Sequence, residues 1–226
     1  MGVLIILLIV AAFVYLKWIR DPKEVRDRCK NRSEEQKKVI RYFMRDGCLA
    51  FGLLKDEEYD ALVAKKIKSM DFKQKALNKI GLDESELQEI EPVSFEGYWF
   101  DEKKTFSKYG KDKKWRSSAY QISWLFFSST QVYLYQYTFN LDEDGKMEKT
   151  EEYFYKDITN FQTISDTIET PIWDPKKDKS ILVNIDKNRF AVTVPGDKFL
   201  CSMEQNEYTE RAIQAMKAKL REKKNA

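Results

Sequence analysis

The sequence predicts an α+β protein, and three features of its hydropathy pattern predict it. Gly2 to Leu16 carries no charge; apolar residues then recur at helical spacing up to residue 91; and from Pro92 onward they alternate as strands do until one last amphipathic helix. The expected order is an N-terminal transmembrane helix, a small helical segment, and an antiparallel β-barrel or sandwich capped by a C-terminal helix. The corresponding divisions are 1–20, 21–91 and 92–226.

At 1.5 Å per residue the stretch from Met1 to Trp18 spans about 27 Å, enough for a thin hydrocarbon core. Tyr15 and Trp18 sit where an aromatic belt would lie, and Lys17, Arg20, Lys23, Arg26 and Arg28 follow. That charge step predicts an uncleaved single-pass anchor in the plasma membrane, with the amino terminus outside and the body cytoplasmic. No small-x-small cleavage site is present, and Ile6 stands where a myristoylation signal needs Ser or Thr. Between Lys17 and Asp46, eleven basic side chains face six acidic ones. The excess suits an anionic leaflet and serves equally well as a topology signal on a solvated helix.

Asp21-Pro22 reads as the N-cap and first residue of one long helix, a stalk with Val39, Ile40, Phe43 and Met44 on its apolar side, ended by Asp46-Gly47. Asp56 opens a second helix carrying Tyr59, Leu62, Val63, Ile67 and Met70. Asp71 to Ile80 continues or restarts it, and Gly81 stops it. Residues 83–90 are expected to form a short third helix. These stripes read as core.

Phe95, Tyr98 and Trp99 mark the first strand, and residues 118–127 another. Residues 131–139 alternate almost strictly, with Val132, Leu134, Gln136 and Thr138 on one face and Tyr133, Tyr135, Tyr137 and Phe139 on the other. Further strands are expected at 152–158, 160–168, 180–185, 189–194 and 198–203, with turns at Asp186-Lys187-Asn188 and at Pro195-Gly196-Asp197. The final helix, 207–224, turns Ala212, Ile213, Met216 and Leu220 inward. About seven strands result.

Composition excludes several chemistries. The chain has no histidine, so Ser-His-Asp and Cys-His catalysis and histidine zinc sites are ruled out. Cys29, Cys48 and Cys201 form no C-x-x-C pair and read as plain thiols in a reducing compartment. With 40 basic and 37 acidic residues the net charge is +3, too balanced to argue for nucleic acid. No phosphate-cradling glycine loop occurs, and Glu151 and Glu152, adjacent in a strand, point to opposite faces. No catalytic residue, cofactor or metal site is assigned.

Two constellations stand out. Asn140, Asp142, Asp144, Gly145 and Glu151 nearly match the spacing of an EF-hand loop, but strands flank them in place of helices and the first position lacks a charge, so an acidic hairpin tip is expected. Lys103, Lys104, Lys108, Lys111, Lys113, Lys114 and Arg116 lie between two strands, interleaved with Phe106, Tyr109 and Trp115. They are the candidate contacts to anionic lipid; the other reading is a solvated loop. Trp173, between Pro171 and Pro175, is expected to cap a barrel opening, or to serve as a docking anchor.

The strand order, the terminal helix and the step Tyr155-Lys156-Asp157-Ile158 resemble a pleckstrin-homology-like domain of the bacterial and GRAM type over residues 92–226. Residues 115–118, 124–128 and 151–158 also resemble stretches of uncharacterised membrane-anchored proteins of Gram-positive bacteria. The resemblance implies a fold but no activity, since members bind lipid head groups, peptides or proteins. The expectation is a non-catalytic, membrane-anchored interaction module with a protein partner. The alternative is an anionic-lipid sensor using residues 103–116.

Overall fold

The computed structural model describes residues 4–8, 10, 21–45, 53–83, 85, 87, 90–101, 105–174, 177 and 179–225. Residues 4–8 and 10 are helical and exposed. Among the described residues no helix is long and apolar enough to cross a membrane. Residues 11–20, which carry the second half of the expected anchor, lie outside the described residues. So do Asp46-Gly47, Cys48, Pro175 and half of the expected helix at 83–90.

The described chain is α+β. Beyond residue 10, the described residues form five helices and nine strands; the strands make two sheets, four helices pack on one face of the first sheet and the last helix closes the core between the two. The long helix expected after Asp21 is instead two, α1 (Lys23–Arg28) and α2 (Glu34–Met44). Asn31 takes φ 58° between them, and a reciprocal Ser33–Gln36 capping box starts α2. Asp21 caps nothing; its carboxylate receives Arg41 Nε at 2.9 Å and Arg45 Nη1 at 3.0 Å. α3 (Asp56–Lys68) and α4 (Phe72–Ile80) follow as expected, with Asp71 capping α4 and Gly81 at φ 82° ending it.

The first sheet runs β1 (Val93–Trp99), β4 (Ala119–Phe127), β5 (Gln131–Asn140), β6 (Lys146–Phe154). The second runs β3 (Trp115–Ser117), β2 (Ser107–Tyr109), β7 (Asn160–Asp174), β8 (Lys179–Val194), β9 (Asp197–Ser202). Both faces of the first sheet are buried along its central strands, β4 and β5. Tyr120, Ile122 and Phe126 of β4, with Tyr135, Tyr137 and Phe139 of β5, pack against Val39, Tyr42, Phe43, Tyr59, Phe72 and Leu77 of the helices. The helical segment is therefore a layer of the structure and not a stalk standing off from it.

On the opposite face Leu125, Phe127, Val132 and Leu134 meet Phe161, Phe190, Val192 and Phe199 of the second sheet, an arrangement compatible with a β-sandwich. α5 (Glu207–Asn225) closes this core with Ile213, Met216 and Leu220, the face its spacing predicts. Gly97 marks where β1 crosses the exit of β9: a Cβ there would stand 3.3 Å from the Met203 backbone, and Glu204 N donates to Glu96 O at 3.1 Å.

Two strand expectations need correction. The strand placed at 152–158 runs from Lys146 to Phe154, and Tyr155 to Asp157 is the turn that follows. Asp186-Lys187-Asn188 is no turn either, because β8 continues through it in register with β7 from Asn160↔Thr193 to Asp174↔Lys179. The polar side chains there bond across the ladder, Thr167 to Asp186 at 2.6 Å and Ser165 to Asn188 at 2.6 Å. β2 and β3 add the two strands that the sequence count lacks, forming a hairpin out of the expected lysine loop.

Candidate functional site

Arg116 organises the lysine hairpin, and it is buried. Its side chain is 3% exposed, and its Nε and Nη2 reach Asp60 Oδ1 and Oδ2 at 2.8 and 2.7 Å. Nη1 and Nη2 also reach Asp112 Oδ1 and Oδ2 at 2.9 and 2.8 Å. Such double forks are the strongest hydrogen-bonded ion pairs available to a protein. Burial pushes the Asp60 carboxyl up, but the bonds from Arg116 and from Tyr98, whose hydroxyl donates at 2.6 Å, outweigh it and leave the group below its ordinary value.

The same corner ties down the hairpin turn and α2. Lys111 N donates to Asp56 Oδ2 at 2.8 Å, and Asp56 Oδ1 accepts from the Tyr42 hydroxyl at 2.8 Å. Tyr59 OH donates to Ser117 O at 2.6 Å, and its ring stacks on Tyr42 at 4.7 Å. Lys113 takes the left-handed φ of 63° at the turn. Burial drives the Tyr42, Tyr59 and Tyr98 hydroxyls well above their ordinary value, so all three remain donors at any physiological pH.

The seven residues proposed for lipid contact are thus not equivalent. Lys103 and Lys104 lie outside the described residues. Lys108 donates Nζ to Tyr42 O at 2.8 Å and sits 4.4 Å from the centre of the Tyr42 ring. Arg116 is buried and committed to Asp60 and Asp112. Lys111, Lys113 and Lys114 remain exposed at the turn.

Behind the hairpin lies an open groove of about 690 Å³. Asp60, Val63 and Ile67 of α3 form one wall, Lys114 to Arg116 a second, and residues 186–188 with 203–205 a third. Tyr98, Phe100 and Trp115, each half-buried, supply aromatic surface. Glu96 and Glu204 supply negative charge, Lys114 and Lys187 positive. Although Glu96 keeps surface exposure, loss of surrounding water and then the nearby Glu204 raise its carboxyl above the ordinary value. The lining thus combines aromatic surface with both signs of charge.

The acidic hairpin docks on the helical layer. Glu143 receives Arg32 Nη2 at 3.0 Å, Asp144 receives Gln36 Nε2 at 2.7 Å, and Glu151 pairs with Lys149 at 2.9 Å. Asn140 Nδ2 donates to Glu143 Oε1 at 3.0 Å. Asp142 is buried, and its Oδ1 has no partner among the described residues. Among the described residues no three carboxylate, cysteine or histidine groups converge as a metal site would need. Trp173 is half-buried against the helix-side core. Cys29 and Cys201 are free, buried thiols, and burial pushes Cys201 up to about 12.

Comparison with protein-family models, with curated proteins and with solved structures finds no match to this chain.

Sequence reasoning missed Asp60, Glu96 and Glu204, which converge only through tertiary contact. The signal for Arg116 was local: Asp112 stands four residues before it, across a tight hairpin turn.

Proposed function

We propose that the chain is a membrane-anchored cytosolic interaction module without catalysis of its own, and that the groove behind the hairpin receives a segment of a partner protein. The observation that carries this reading is how the groove is built. Four separate stretches of chain supply its three walls, and the Arg116 fork joins α3 to the hairpin so that two of those walls hold a fixed spacing. A preformed site avoids the ordering cost that a mobile one meets on binding.

The fold reading that accompanies it is pleckstrin-homology-like. β1, β4, β5 and β6 would be the first sheet of four and β7, β8 and β9 the second of three, with β2–β3 an insertion and α5 the terminal helix. The charge step after Leu16 supports an anchor with the described body on the cytosolic side.

Photo-crosslinking in native membranes tests the function. A photoreactive residue replacing Lys114, at the groove rim, is expected to give a discrete protein adduct. The same residue replacing Glu169, on the exposed outer side of β7, is expected to give none. Equal adducts at both positions, or none at residue 114, contradict the reading.

A further inference from the structure

The sandwich-side face of the first sheet changes character along its length. Leu125 and Leu134 belong to the apolar core, whereas Gln121, Ser123, Gln136 and Thr138 on the same face are polar and buried. The glutamines tie the sheet to β9: Gln136 Nε2 donates to Leu200 O at 2.7 Å, and Gln121 Oε1 accepts from Ser202 N at 2.8 Å. Both also line a cleft of about 230 Å³.

The mouth of this cleft is basic. Lys149, which also pairs with Glu151, comes from β6, Lys187 and Arg189 come from β8, and Lys198 from β9, and among the described residues no carboxylate lines the space. Lys187 and Arg189 share one face because strand side chains alternate. Arg189 Nη2 pairs with Asp166, but its Nε is buried and has no hydrogen-bond partner among the described residues. A buried N–H without an acceptor is costly, and an oxygen entering the cleft would relieve it.

We propose that this cleft binds a phosphate-bearing ligand, with Arg189 and the rim lysines donating to the phosphate oxygens over a polar floor. Arginine in such a setting suits the spread charge of a phosphate, and lysines add point charges around it. The volume falls below the range of about 300–1,000 Å³ for drug-sized ligands, so the cleft fits a phosphate with a short substituent. A lipid head group and a free phosphorylated compound share that chemistry. The site is separate from the exposed lysines of the hairpin turn.

The test uses the full chain in phosphatidylcholine nanodiscs, with inorganic pyrophosphate as the soluble probe and melting temperature as the readout. At a probe concentration about a hundred times Kd the melting temperature should rise by about 5–10 °C. The double variant Lys149→Gln, Lys198→Gln should lose that rise; both side chains are at the surface, so the fold tolerates the change. Lys111→Gln with Lys113→Gln should retain it. If the natural source is lipid, phosphatidylglycerol in the disc raises the melting temperature of the unaltered chain but not of the Lys149, Lys198 variant. If the source is a soluble compound, the lipid changes nothing and pyrophosphate acts alone. No rise with either probe, or an equal rise in the Lys149, Lys198 variant, overturns the proposal.

Discussion

Arg116 and Asp60 face each other fork to fork, with Nε on Oδ1 at 2.8 Å and Nη2 on Oδ2 at 2.7 Å. The pair joins a residue of β3 to one on α3 across 56 positions of sequence. It turns a lysine-rich loop into a fixed wall of the groove.

Removing Arg116 should therefore destabilise the protein. Arg116→Gln is expected to cost about 1–3 kcal/mol in urea unfolding; Asp60 and Asp112 are partly exposed and recover water, which keeps the loss below that of a fully buried pair. Arg116→Lys should cost nearly as much, because an ammonium cannot occupy two carboxylates as two planar forks do. A loss below a few tenths of a kcal/mol for either would show that the hairpin is held by other contacts.

Asp142 should give the opposite sign. Burial raises its carboxyl and Glu143 adds repulsion, while bonds from Ser118 and its own backbone and the charge of Arg32 lower it, with a net upward shift. The folded protein therefore holds the proton more tightly than the unfolded chain. This residue's contribution is unfavourable at neutral pH and improves as pH falls through its raised value. Asp142→Asn is expected to stabilise the fold at pH 7 by about 1 kcal/mol, a gain that disappears in acid once Asp142 itself is protonated. Parallel pH–stability curves for the two proteins would contradict this.

Calcium should leave the protein unchanged. Glu143 is engaged by Arg32, Asp144 by Gln36 and Glu151 by Lys149, and Asp142 is buried, so the carboxylates of the hairpin do not converge. Millimolar calcium is expected to shift neither melting temperature nor tryptophan emission. A saturable rise that Asp144→Ala removes would mean that the hairpin rearranges around the ion.

Local patterns foretold α4 with its Gly81 stop, the two-faced alternation of β5 and the inward face of α5, because each depends on side chains within one element. Where several elements meet, the pattern misled. Asp186-Lys187-Asn188 carries turn chemistry, yet a fifteen-pair ladder with β7 overrides it and uses those polar groups across the strands. The break between α1 and α2 was legible in the Ser33–Gln36 capping box, which the longer apolar stripe obscured. Counting charge gave the lysine hairpin its prominence. Burial then divided it, holding Arg116 inward and leaving Lys111, Lys113 and Lys114 outside.

The measurement closest to the central claim is hydrogen exchange of the full chain in native membranes, compared with the purified chain. A partner seated in the groove should slow exchange at residues 110–115 and 203–206, which face it or flank it, while the outer portion of the β7–β8 ribbon at 165–169 exchanges at the same rate in both. Identical exchange at the groove in the two preparations, or slowing spread evenly over groove and ribbon, would contradict the assignment of the groove as the docking site.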